Sequence, residues 1–224
     1  MKRKYMLFSW LVVALIMALS SYDRWPMQNV LAQEQPDRDK FHADVAHSLL
    51  EMNTTLDIIE GFRAQGDMPP NRDAMHEKAA HGFKHALELF GVQVTMEKQK
   101  DQNKFHADVA HALLEMNSTL DIIEGFRAQD SMPPNRDMMH ERAAHGFKRA
   151  LELFGVPVIM DKQKDRNAFH ADVAHALLEM NVTLDLVEAY RALGSMPPDR
   201  DEKHEKAAQG FRHALELFGV KPKM

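Results

Sequence analysis

The residues of this chain best suited to chemistry form a short stripe, Asp44, His47 and Glu51, within the segment DVAHSLLE. Spacings of three and four put all three on one face of a helix. One imidazole and two carboxylates suit a borderline divalent ion such as Zn²⁺, Ni²⁺ or Cu²⁺. The stripe occurs twice more, as Asp108, His111 and Glu115 and as Asp172, His175 and Glu179. One helix supplies at most three ligands here, so a closed site needs a donor from a partner helix or another copy. The competing reading is ordinary. A His–Glu pair at i,i+4 is common on solvated helices and contributes only about 0.2–0.5 kcal/mol.

The stripes recur because the chain repeats. FHADVAH begins at Phe41, Phe105 and Phe169, a fixed period of 64 residues without insertion. Such a period marks one supersecondary unit duplicated and stacked. Within a unit, Phe41, Val45, Leu49, Met52, Leu56 and Ile59 recur at the helix period. They predict a helix from about Asp37 to Gln65, with Asp37 as its N-cap. A weaker stripe through Ala43, Leu50, Ile58 and Phe62 gives this helix neighbours on two sides. In the later copies the helix is expected to begin earlier, near Glu97 and Asp161. The segment GDMPPN interrupts the helix, because two prolines end one helix and open the next. The second helix runs from about Asn71 to Phe90, with Ala79, Ala80, Phe83 and Leu87 on one face. Gly91 is a natural C′ residue, with Val92 packing back in a Schellman stop. Each unit is therefore an antiparallel hairpin. The expected fold is all-α, with three tandem hairpins packed as a six-helix bundle or a short solenoid. The hairpins divide the chain as 33–100, 101–164 and 165–224, after a leader at 1–32.

Histidine offers further candidates. Three columns hold histidine in every copy, headed by His42, His47 and His76. Two drift: His81 becomes Gln209 in the third copy, and His85 becomes Arg149 in the second. Over Phe41 to Val92, 16 of 52 columns vary. Three kept columns of five is thus no better than the average residue, as a recent duplication produces. Direction separates them better. His76 points with Ala80, Phe83 and Leu87 toward the core, where it pairs with Glu60 or caps a polar gap, while His81 and His85 point outward. Within one hairpin His47 and His76 lie ~20 Å apart along the axis and cannot share an ion. Met52, Met116 and Met180 belong to the core stripe, and Met68, Met132 and Met196 are expected to cover the turns. Asn53-Thr54-Thr55, Asn117-Ser118-Thr119 and Asn181-Val182-Thr183 fit the glycosylation sequon, but they fall mid-helix rather than in an exposed loop.

Composition bounds the rest. Lys2, Arg3 and Lys4 precede an apolar run from Met6 to Ser20. That order predicts a signal peptide, cut after Ala32 or Ser20, or an N-terminal anchor if it is not cut. The expected location is periplasmic or secreted, with membrane contact only through an uncleaved leader. There is no cysteine, which excludes disulfides, CxxCH haem linkage and iron–sulfur ligation. Residues 1–32 carry a net +3, so their removal takes the formal charge from −5 to −8. An acidic chain with interspersed charges is a poor nucleic-acid binder. All 13 histidines lie within the repeats, which gives a capacity to respond to acid. No glycine-rich phosphate loop, HExxH, GxSxG or cysteine nucleophile is present. The expectation is a non-enzymatic exported binding or scaffold protein with a protein partner, contacted through the Asp44, His47 and Glu51 face. The alternative is binding or sequestration of a divalent transition metal through the three stripes, with about one ion per repeat.

Overall fold

A computed structural model describes residues 36–95, 101–159 and 165–223. The expected leader and its cleavage sites lie outside the described residues. Six helices follow in order: α1 (Pro36–Ala64), α2 (Arg72–Leu89), α3 (Gln102–Arg127), α4 (Arg136–Leu153), α5 (Arg166–Ala192) and α6 (Arg200–Leu217). They pair as the hairpins α1·α2, α3·α4 and α5·α6. Among the described residues no helix is long and apolar enough to cross a membrane.

Helix ends follow local chemistry, with some departures from expectation. Among the described residues α3 starts at Gln102 and α5 at Arg166, while Glu97 and Asp161 lie outside them. Asp101 accepts from the Lys104 N–H at 3.0 Å, and Asp165 from the Ala168 N–H at 3.1 Å, so each caps the helix that follows it. In the first copy the helix already includes Asp37, so that residue is not its cap. After each proline pair, Asn71, Asn135 and Asp199 adopt the left-handed conformation, with φ of 60°, 62° and 59°. Asn and Asp tolerate this region better than other side chains with a Cβ. The stop at Gly91 is a Schellman motif. The Gly91 N–H donates to Glu88 O at 2.8 Å and the Val92 N–H to Leu87 O at 3.0 Å.

The hairpins close into a ring rather than an open solenoid. α2 packs on α3, α4 on α5, and α6 back on α1, while α1, α3 and α5 touch one another. Every seam is tied the same way. Thr95 N–H donates to Phe154 O at 3.0 Å, Ile159 N–H to Phe218 O at 3.0 Å, and Lys223 N–H to Phe90 O at 2.7 Å. The contacts permute through the three copies, so a pseudo-threefold axis relates the hairpins. Phe83, Phe147 and Phe211 meet edge to face with centroids 5.8–5.9 Å apart. Such aromatic contacts add about 0.5–1.5 kcal/mol each beyond area burial.

Within each hairpin the two helices approach closely at a glycine. A Cβ on Gly82, Gly146 or Gly210 would lie 2.7 Å, 2.7 Å and 2.8 Å from the backbone oxygens of Ser48, Ala112 and Ala176. The core stripe is as expected, with Met52, Met116 and Met180 each 1% exposed. Two apolar expectations differ. Met68, Met132 and Met196 stand about 60% exposed rather than folded over the turns, and Ile58 of the weaker stripe is 44% exposed.

Candidate functional site

Ring closure decides which histidines meet. His47 and His76 do not meet within a hairpin; their columns meet across the seams. His47 packs edge-on against His204 with centroids 5.2 Å apart, and His76 against His111 and His140 against His175 at 5.3 Å. The partner of His76 is thus His111 of the next hairpin rather than Glu60. His76, His140 and His204 are each 3% exposed, and their Nδ1 atoms have no hydrogen-bond partner. Burial, then the facing histidine, then a nearby arginine hold all three below the usual imidazole pKa.

The stripe carboxylates face elsewhere. Glu51 lies 3.8 Å from the Lys78 ammonium, Glu115 is 3.1 Å from Arg142 and Glu179 is 3.8 Å from Lys206. Each of these cations comes from the second helix of the same hairpin. Asp44, Asp108 and Asp172 remain on the stripe helices, the first two half-buried and Asp172 exposed. Among the described residues, two groups of at least three donor atoms lie within 4.8 Å of one another, and neither includes a stripe residue.

The first group is Glu141, His145 and His170. Glu141 and His145 stand at i and i+4 on α4, so one face presents both, and α5 brings His170 across the seam. The two rings lie 5.6 Å apart at 80°. His170 is 2% exposed and its Nε2 has no partner. Burial lowers its pKa against the raising effect of Glu141, with His145 lowering it further. Neutral imidazole is the form that offers a lone pair to a metal. Two imidazoles and one carboxylate form a common set for divalent transition ions. A tetrahedral shell at 2.0–2.1 Å has edges of ~3.4 Å, so modest rotamer changes of the exposed His145 and of Glu141 draw the set together.

The same residue types recur at the first seam and change at the third. Glu77, His81 and His106 line a cleft of about 220 Å³ between α2 and α3, walled by Phe105 and Phe154. At the closing seam Gln209 stands where the others have His81 and His145. There Glu205 accepts from Arg38 at 2.8 Å and from Gln209 at 3.0 Å, beside the buried His42. A cation and an amide thus occupy the carboxylate at this seam. His145, in the outward column headed by His81, thus also approaches a histidine of the neighbouring hairpin.

The second group lies where α1, α3 and α5 meet: Asp121, Glu124 and Asp185. It belongs to a cyclic network. Asn53 Nδ2 donates to Asp185 at 2.8 Å, Asn117 Nδ2 to Asp57 at 2.9 Å and Asn181 Nδ2 to Asp121 at 3.0 Å. Each asparagine thus serves the aspartate of a different hairpin. The asparagines are fully buried, so the sequons offer no accessible acceptor for a glycan. Thr55, Thr119 and Thr183 instead return their hydroxyls to the backbone oxygens of Glu51, Glu115 and Glu179. Burial and then neighbouring carboxylates raise Asp57 to about 6, Asp121 to about 7 and Asp185 to about 8. Burial likewise raises Glu124, against the lowering effect of Arg127.

These features define a closed three-hairpin helical ring with polar groups converging at two kinds of place, the seams and the axis. Comparison with known protein families, curated proteins and solved structures gives no match, so the functional reading rests on the chain's own geometry.

Proposed function

We propose that this chain is a non-enzymatic binding protein whose ligand is a divalent transition ion of the Zn²⁺, Ni²⁺ or Cu²⁺ type, held at the seams between hairpins. The supporting observation is the Glu141, His145 and His170 set, with three donor atoms within 4.8 Å and a buried histidine nitrogen lacking any partner. Glu77, His81 and His106 supply the same residue types at the first seam. The third seam, with Gln209 and the Arg38-engaged Glu205, does not. The expected capacity is therefore two ions rather than three, and the ligands are not the Asp44, His47 and Glu51 stripe.

The protein-scaffold reading has less support, since His47 is half of a histidine pair and Glu51 faces Lys78. Export remains part of the proposal on the strength of the basic and apolar N-terminal sequence, and N-terminal sequencing of the protein recovered outside the cytoplasm tests it.

Equilibrium dialysis of the untagged chain against Zn²⁺, followed by elemental analysis, tests the metal reading. About two equivalents are expected, falling to about one in His145→Ala and close to none in His81→Ala/His145→Ala. Zn²⁺ uptake unchanged by that pair of substitutions, or lost instead in His47→Ala/His111→Ala/His175→Ala, overturns it.

A further inference from the structure

The three seams differ at one more position, beside the carboxylate of each. The column is Arg38 on α1, Gln102 on α3 and Arg166 on α5. Each stands four residues before the seam histidine of its own helix, His42, His106 or His170. That spacing keeps the two on one helix face, so the column residue faces the same seam. The carboxylates opposite, Glu205, Glu77 and Glu141, likewise hold one place in the second helices. Three observations bring the two columns together. At the closing seam Arg38 Nη2 lies 2.8 Å from Glu205 Oε1. At the first seam Gln102 lines the cleft of about 220 Å³ together with Glu77, His81 and His106. At the second seam the charge of Arg166 reaches His170 and helps to lower its pKa. Among the described residues no ion pair joins Arg166 to Glu141, whose oxygen lies within 4.8 Å of the His145 and His170 nitrogens.

We propose that this column sets how strongly each seam takes a divalent cation: Gln102 leaves the first seam free, Arg166 weakens the second and Arg38 closes the third. The inference rests on the seam reading above and adds what separates its two sites. A guanidinium stays charged at every relevant pH, and its fork matches a carboxylate. At the closing seam it holds Glu205 directly. The reach shown by Arg38 is open to Arg166, the same side chain at the same place in the pseudo-threefold ring. There it acts in two ways. It repels an incoming divalent ion, and it competes with that ion for Glu141. Both effects raise the dissociation constant, and both weaken with added salt. Glutamine carries no charge, so Glu77 meets no fixed cation from this column. Lys84 also lines the first cleft, but it lies 3.3 Å from Glu88, and Lys148 at the second seam lies 3.4 Å from Glu152. The lysines are matched at the two seams and do not separate them.

The test is isothermal titration with Zn²⁺ in full-length variants that keep one seam each. His81→Ala leaves the second seam, and His145→Ala leaves the first. In the His81→Ala chain, Arg166→Gln should lower the dissociation constant about three- to tenfold at low salt, with the gain shrinking in about 0.5 M salt. In the His145→Ala chain, Gln102→Arg should raise it by a similar factor. Both positions are exposed, so neither exchange disturbs the core, and a general effect on folding would not reverse sign between the seams. Affinity unchanged or reduced in Arg166→Gln, or unaltered by Gln102→Arg, overturns this inference alone, provided each single-seam chain still takes about one equivalent of Zn²⁺. No uptake in either single-seam chain overturns it together with the seam reading.

Discussion

The axis and the seams are assembled from the same three copies, yet they carry substitutions differently. The axial residues are identical in all copies: Asn53, Asn117 and Asn181, with Asp57, Asp121 and Asp185. The seam set is present twice, and its third version has Gln209 in place of a histidine. Geometry accounts for the contrast. Every copy contributes to one shared axial network, so a change in any copy alters the whole. Each seam is built by only two hairpins, so one can change while the other two stand. Repetition multiplies a feature at an interface, but it unifies a feature on the axis.

The largest expected effect comes from breaking the axis at its most buried point. Asn117→Leu removes the donor to Asp57 and leaves that carboxylate without its amide partner, a loss of about 1–3 kcal/mol in urea unfolding of the ion-free chain. His145→Ala at the solvent-exposed rim of a seam should stay within about 0.5 kcal/mol. Equal losses at the two sites would erase the distinction between them.

Next in size is a pH response with opposite signs in the two regions. The axial aspartates have folded pKa values raised to about 6, 7 and 8. The folded chain therefore holds more protons than the unfolded one from about pH 4 upward, and stability falls as pH rises toward 8. The buried His76, His140 and His204 are shifted down by burial. There the unfolded chain binds more protons below about pH 6.5, so stability falls as pH drops through that range. Unfolding temperature measured across pH in chelator should peak in mildly acidic solution. Asp185→Asn should flatten the alkaline limb and leave the acidic limb, and a profile unchanged by Asp185→Asn would contradict the assignment.

Close helix packing supports both regions, and Gly146→Ala probes it. A Cβ there lies 2.7 Å from Ala112 O and 2.9 Å from Met116 N. Separating α3 from α4 should cost about 1–3 kcal/mol in denaturant unfolding, and no loss would mean that the hairpin relaxes freely. A smaller effect sharpens the seam side. Gln209→His alone should add little Zn²⁺ capacity because Arg38 holds Glu205, whereas Gln209→His with Arg38→Ala should raise bound Zn²⁺ from about two to about three equivalents. The least effect belongs to Lys78→Ala at the exposed Glu51 pair, within about 0.5 kcal/mol in urea unfolding.

Much of the local structure was legible in the sequence. The 64-residue period gave the hairpins, the helix period gave the Val45, Leu49, Met52 and Leu56 stripe, and Gly91 with Val92 marked the Schellman stop. Helix starts were less legible, because Asp101 and Asp165 act as caps through a local side-chain bond that periodicity does not register. Ring closure was not legible at all, since periodicity within a hairpin says nothing about how the third docks on the first. That is why His47 could be separated from His76 along one hairpin and yet face His204 across a seam. Two further signals stand in the sequence. A glycine recurs within the second helix of every copy, at Gly82, Gly146 and Gly210, which points to close helix approach. Asn53 and Asp57 recur at i and i+4, each directly after a core residue, Met52 or Leu56, which points to a buried polar network more directly than to a sequon.

The most direct test is native mass spectrometry of the untagged chain titrated with Zn²⁺. The predicted result is up to two Zn²⁺ bound, with His145→Ala removing one and Asp121→Asn, on the axis, removing none. Loss of Zn²⁺ in Asp121→Asn, or a chain that takes up no Zn²⁺, would contradict the division of labour between seams and axis.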